Sequence, residues 1–189
     1  YAKTVVIATG AHPRELGVGK ESQFRGHGVA YCATCDGMMF KDKDVVIVGG
    51  GNSGIADALF LDKICHKVTL IHRRDELRAS RIYQQQLEKS NIEFIWNSQV
   101  TEIIGDKHLT GVKVQNLKTN EISELTTDGL FVAIGRVPDT ELVKGQVELD
   151  KRGYIIADET THTNIDGVFA IGDVRTKALR QIATAVSDG

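Results

Sequence analysis

The sequence predicts an α/β protein with two related modules, one embedded in the other, and an antiparallel β-meander. Three observations predict it. A strand, a glycine turn, a helix and a second strand follow one another over residues 43–74. Residues 98–133 hold several strand-like stretches and no helical pattern. One strand end, apolar and closing Ala-x-Gly-x-x-Pro, occurs at 6–13 and again at 131–138.

The elements follow in order. Residues 3–9 (KTVVIAT) open the chain directly as a buried strand. Val45–Val48 is a continuous apolar run, as in a parallel strand covered on both faces. Gly49, Gly51 and Gly54 make the turn, and Ile55, Leu59 and Ile64 recur at helical spacing behind it. Val68–Ile71 is the next strand, Ala79–Ser90 a second helix and Ile92–Trp96 a third strand, a βαβαβ unit. Val100–Ile104, Gly111–Leu117, Ile122–Leu125 and Gly129–Ala133 are read as the meander, broken at GDKHL and KTNE. Short strands at Tyr154–Ile156 and Val168–Ile171 and a helix near Ala178–Val186 complete the pattern. The chain opens without a methionine and stops inside that helix, which suggests a piece of a longer protein.

Composition excludes several function classes. A formal net charge of −2 gives no bias toward polyanions, so nucleic acid is not an expected partner. No run of about 18 apolar residues exists, so no membrane span is expected. Three cysteines are too few, and odd in number, for a secreted disulfide framework, which favours a reducing cytoplasm.

The chemistry lies in three places. Gly49-x-Gly51-x-x-Gly54 sits between strand and helix, where backbone amides can meet a pyrophosphate over the helix N-terminus. At the end of the following strand an NAD site wants an acid for the ribose 2′-hydroxyl. His72-Arg73-Arg74 stands there instead, with Arg78 beyond it, and guanidinium forks suit a 2′-phosphate. The cofactor is then NADPH.

Cys32 and Cys35 are the second place. Zinc takes four ligands as a rule, and only His27 and Cys65 could complete a set that nothing requires, so no metal is expected. A structural disulfide fits a reducing compartment poorly. A Cys-x-x-Cys near a βαβ pattern reads instead as a dithiol–disulfide couple, and Asp36 beside it can give or take the proton that exchange moves. The third place is Val168-Phe169-Ala170-Ile171-Gly172-Asp173, a strand ending in Gly-Asp. Its carboxylate suits a ribitol or ribose hydroxyl, although taken by itself the turn is better explained as a plain turn aspartate. A flavin between hydride donor and dithiol would give that turn a purpose.

With these residues assembled, the chain resembles the bacterial-type, low-molecular-weight thioredoxin reductases among the pyridine nucleotide-disulfide oxidoreductases. The resemblance rests on CATCDG at 32–37, GGGNSG at 49–54 and HRRDELRAS at 72–80. It continues through ATG at 8–10, AIGR at 133–136, AIGD at 170–173 and RQI at 180–182. It implies two Rossmann-like dinucleotide-binding domains, an NADPH domain inserted in a partial FAD domain. Residues 1–13 and 142–189 would form the FAD part and 14–141 the NADPH domain bearing the cysteines. It places FAD at Gly172, Asp173, Arg180, Gln181 and Ile182, and counts Gly10 and Gly135 among the cofactor-binding residues. It places the NADPH pyrophosphate at Gly49, Gly51, Asn52, Ser53 and Gly54, and the 2′-phosphate at His72, Arg73, Arg74 and Arg78. Cys32 and Cys35 would be the redox pair and Asp36 the acid, passing electrons from NADPH through FAD to thioredoxin. The resemblance further implies a homodimer and two domains that rotate relative to each other. The family's FAD fingerprint, a GxGxxG-type turn, does not occur among these residues ahead of the cysteines.

Two other readings compete. The flavoprotein subunit of alkyl hydroperoxide reductase shares this architecture, but its pair usually reads Cys-Pro-His-Cys, against Ala33-Thr34 here. A flavin-free NADPH-binding module would keep the glycine turn alone, and the retained cysteines and arginines argue against it.

Overall fold

A computed structural model describes all 189 residues. The chain divides into two compact units, Tyr1–Pro13 with Arg136–Gly189, and Arg14–Gly135. The chain enters through β1 (Val5–Ile7) and β2 (Ala11–Pro13) of the first unit. Only Ile7 of β1 is buried; Val5 and Val6 are exposed, so the opening strand is shorter and less covered than its apolar sequence predicts.

The second unit is built on a parallel sheet. Its strands are β3 (Val29–Ala30), β4 (Asp44–Val48), β5 (Lys67–Ile71) and β6 (Glu93–Ile95). Between them lie α1 (Ala33–Asp36), α2 (Asn52–Leu61) and α3 (Arg81–Leu87). An antiparallel layer follows, β7 (Ser98–Gly105), β8 (Leu109–Asn116) and β9 (Ile122–Thr126), before β10 (Gly129–Val132) closes the unit.

The sheet order is β3-β10-β4-β5-β6, all parallel. Gly129–Val132 is therefore not a fourth meander strand but lies between β3 and β4, and the meander has three strands. All four β10 residues are buried, as expected of a strand covered on both faces.

Alternation along β4 explains why this run is wholly apolar. Val45 and Ile47 pack with Ile55, Ala58 and Leu61 of α2, whereas Val46 and Val48 pack with Val100, Val112 and Val114 of the antiparallel layer. Helix α3 is shorter than the expected 79–90, because Ser80 serves as its N-cap and Glu88 as its C-cap.

The first unit resumes with β11 (Arg136–Pro138), then β12 (Val168–Ala170) and α4 (Ile182–Asp188). β12 pairs in parallel with β1, and Ile7, Val147, Ile155, Ala170 and Val174 form a small core. Ile155 makes single bridges to Leu149 and Arg175, so the predicted strand at 154–156 is only a bridge. The last helix starts at Ile182, later than the predicted Ala178, because Gln181 caps it in extended conformation with Thr184 completing a capping box.

The repeated strand ends meet. β2 and β11 form an antiparallel ribbon in which Arg136, Val137 and Pro138 lie opposite Pro13, His12 and Ala11. Gly10 and Gly135 precede them with φ of +75° and +110°. The chain leaves the second unit at Gly135, since Arg136–Pro138 is committed to this ribbon, rather than at 141.

Candidate functional site

The cysteine segment is positioned from both sides. Before it, Tyr31 donates its hydroxyl to Glu21 at 2.8 Å. The buried Glu21 carboxylate also accepts the amides of Leu16 and Gly17, each at 2.9 Å. Burial and the Glu21 carboxylate hold the Tyr31 phenol well above its ordinary range. After it, the missing side chain of Gly37 leaves room for Phe60, Leu61 and Ile64, which hold the segment against α2.

Cys32 and Cys35 form a disulfide, with Cα atoms 5.3 Å apart. Cys32 is the N-cap of α1, and its sulfur accepts the Cys35 amide at 3.2 Å. Cys35 is exposed and Cys32 half-buried; Asp36 follows half-buried in the same turn, its amide on the Cys32 carbonyl at 3.0 Å. Cys65, the third cysteine, is different: burial pushes its thiol up to about 11, so it stays protonated at neutral pH. No cluster of three or more His, Cys, Asp or Glu side chains has metal-holding geometry; His27, weighed earlier as a ligand, lies beside His108 with ring centroids 5.9 Å apart.

The glycine turn is shaped by close backbone contact. Gly49 has φ +139°, and a Cβ there would stand 2.3 Å from the Ala133 carbonyl oxygen. A Cβ on Gly54 would lie 2.1 Å from the Gly49 carbonyl oxygen, so α2 starts tight against the turn. Around Gly51, the N-cap of α2, a Cβ would meet nothing within 4 Å, which leaves an open cradle at the helix N-terminus. Asn52 and Ser53 are exposed at this end, and Asn52 Oδ1 accepts the Ser80 amide at 2.8 Å.

The loop after β5 is tied to the cradle. Besides the Asn52 bond, the Arg78 amide donates to the Gly50 carbonyl at 2.8 Å, and the His72 ring fills the space beside Gly50. His72 is buried, and burial together with the charges of Arg73, Arg74 and Arg78 lowers its pKa. Its Nε2 is buried without a hydrogen-bond partner. Arg73, Arg74 and Arg78 are exposed, while Asp75, the acid beside them, is paired with Lys118 at 2.8 Å. An open helix N-terminus tied to a loop that carries three uncommitted guanidinium groups fits a dinucleotide carrying an extra phosphate.

In the first unit, Gly172 (φ +73°) and Asp173 follow β12. Asp173 Oδ1 is buried without a hydrogen-bond partner, so the carboxylate fits a polyhydroxyl ligand that would supply one. Arg180 stacks over the Tyr154 ring, 3.8 Å from its centroid, and donates to the carbonyls of Asp173 and Arg175. Gln181 and Ile182 are exposed at the start of α4. Asp188, Arg175 and Lys177, which carried no signal in the sequence, form a buried ionic cluster next to this turn.

A Cys-x-x-Cys disulfide, a glycine turn at a helix N-terminus and a Gly-Asp turn in a two-unit α/β chain define a class, and the sequence matches it from end to end. The chain belongs to the pyridine nucleotide-disulphide oxidoreductase family, which it matches over residues 1–189. Within that family it is 49% identical to thioredoxin reductase of Rickettsia conorii, covering all of this chain and 62% of that protein. It is 46% identical to thioredoxin reductase of Streptomyces coelicolor, covering all of this chain and 59% of that one. Among solved structures, thioredoxin reductase from Streptococcus pyogenes superposes with a TM-score of 0.86 at 45% identity, over 98% of this chain and 61% of that chain. The Lactococcus lactis enzyme gives 0.80 at 44% identity, over 98% and 62%. The likeness read from CATCDG and HRR thus extends over the whole chain, which spans about three fifths of the length of these relatives. No helix is long and apolar enough to cross a membrane.

Proposed function

We propose that this chain is part of an NADPH-dependent thioredoxin-disulfide reductase. The observation that carries the reading is the Cys32–Cys35 disulfide with an exposed Cys35, in the same unit as a phosphate cradle flanked by three uncommitted arginines. Arg14–Gly135 is read as the NADPH domain and the other unit as part of the FAD domain. NADPH would be held by the 49–54 turn and by Arg73, Arg74 and Arg78. FAD would be held at the Gly172–Asp173 turn with Gly10, Arg180, Gln181 and Ile182. When bound, NADPH supplies a hydride, which FAD accepts, passing the electron pair on to a disulfide.

The chain's own residues carry the second half of the chemistry. Once Cys32 and Cys35 are a dithiol, one thiolate attacks a sulfur of the thioredoxin disulfide. A mixed disulfide forms, and the other thioredoxin sulfur leaves as a thiolate. The second cysteine then attacks the mixed disulfide. Cys32–Cys35 is restored and thioredoxin keeps two thiols, so two electrons have moved. In each of the two exchanges Asp36 takes the proton of the attacking thiol and returns it to the leaving thiolate, so both protons pass to thioredoxin. The protein is expected to act in the cytoplasm, as its low cysteine count suggests, and as a homodimer, as the resemblance implies. Its balanced charge speaks against a nucleic-acid partner.

The test is Cys32→Ser and Cys35→Ser in the full-length protein. Each is expected to abolish NADPH-driven thioredoxin reduction while NADPH still bleaches the flavin absorbance. Thioredoxin reduction at the wild-type rate in either variant would refute the assigned pair.

A further inference from the structure

The Gly172–Asp173 turn is held by a side chain fifteen or so positions downstream. Asp188, in α4, accepts the Gly172 amide on Oδ2 at 2.7 Å. Its two oxygens take the Arg175 fork, Nη2 to Oδ1 at 2.7 Å and Nε to Oδ2 at 2.9 Å. Lys177 Nζ adds a bond to Oδ2 at 2.7 Å and donates to the Thr184 carbonyl at 3.0 Å. All three side chains are buried, at 3% exposure for Arg175 and 7% each for Asp188 and Lys177.

The cluster is therefore a closed knot of four donors on one carboxylate, with two cations against one anion. Arg175 also reaches back to the carbonyls of Asp158 and Thr176. Gly172, whose amide Asp188 accepts, has a left-handed φ of +73°, and the next residue is the Asp173 whose Oδ1 is buried without a partner. A carboxylate left waiting in this way must be aimed by something other than its own hydrogen bonds.

We infer that Asp188, clamped by Arg175 and Lys177, is a positioning residue that fixes the Gly172–Asp173 turn and so pre-aims the Asp173 carboxylate at the hydroxyl-bearing chain of a flavin nucleotide. The inference rests on the flavin reading of this turn given above. The clamp acts through the backbone: Asp188 holds the Gly172 amide, and the amide sets the direction of the following side chain. Pre-organisation of this kind shows as tighter binding, since the ligand does not have to order the turn.

The test is a graded series in the full-length protein, Lys177→Gln, Asp188→Asn and Asp188→Ala, measured by FAD titration of the apoprotein and by the visible spectrum at saturating FAD. Lys177→Gln leaves the Arg175 fork intact and should weaken FAD about threefold. Asp188→Asn should weaken it at least tenfold, and Asp188→Ala further, with an altered band shape of the bound flavin that lost fold stability alone would not give. If Asp188→Ala does not fold, the two milder variants decide. Wild-type FAD affinity and spectrum in folded Asp188→Asn would overturn the clamp. A wild-type protein that binds no FAD at all would instead overturn the flavin reading, so the two failures are distinct.

Discussion

At the scale of single residues, environment separates groups of the same type. Cys35 is exposed and joined to Cys32, whereas Cys65 is held protonated by burial, so spacing and exposure together set the pair apart from the third cysteine. Asp57 is a carboxyl that neither motif nor spacing singled out. Burial on α2 pushes it up to about 6. Folding thus favours its protonated form. The cost of burying the carboxylate is absent below about pH 4, where the group is protonated in both folded and unfolded chains. It grows through the window between about 4 and 6 and is complete at pH 7. Discounted for its partial exposure, that cost is on the order of 1–2 kcal/mol. Asp57→Asn is expected to raise unfolding stability by about that amount at pH 7 and to leave it unchanged at pH 4, read by denaturant unfolding at both pH values. Equal effects at the two pH values would contradict the assignment. Glu21 shows the other kind of residue hidden from sequence reading. Its three acceptor bonds converge from Leu16, Gly17 and Tyr31, and no periodicity marks it.

At the scale of elements, the parts with strong local constraints were legible and those set by tertiary pairing were not. The βαβ run from β4 to β5 could be read because an all-apolar strand, a glycine turn and helical spacing fall in sequence. β10 was misplaced because its four apolar residues follow a real meander, and only their lack of alternation marks a doubly covered strand. The start of α4 lies later than the sequence suggests because Leu179 and Arg180 continue an apolar-polar pattern, while Gln181 is held extended as the cap. The loop after β5 is the element with the clearest consequence. Its tie to the glycine turn through Arg78 and Ser80 fastens to the cradle the loop that carries the three arginines, which the sequence suggested only by order along the chain. Arg73→Ala combined with Arg74→Ala is expected to lower the preference for NADPH over NADH by roughly a hundredfold or more, as loss of two charge-assisted contacts would, with NADH turnover little changed. The ratio of kcat/KM for the two cofactors checks this, and an unchanged ratio would remove the phosphate pocket.

At the scale of the whole molecule, the repeated strand end carried the most architectural information. The Gly-x-x-Pro segments at 10–13 and 135–138 flank the second unit and pair as one antiparallel ribbon, so the insertion of one module in the other was visible in the sequence. The ionic clamp on Gly172 was not, since Arg175 and Asp188 are brought together only by the return of α4. In the proposed function, electrons pass from NADPH to a protein disulfide by way of Cys32 and Cys35. This route is tested most directly by following flavin absorbance in the full-length protein without oxygen, first adding NADPH and then oxidised thioredoxin. Bleaching is expected on the first addition and recovery on the second in the wild type, with no recovery in Cys35→Ser. Recovery in Cys35→Ser, or a wild-type protein that bleaches and never recovers with thioredoxin, would contradict the route.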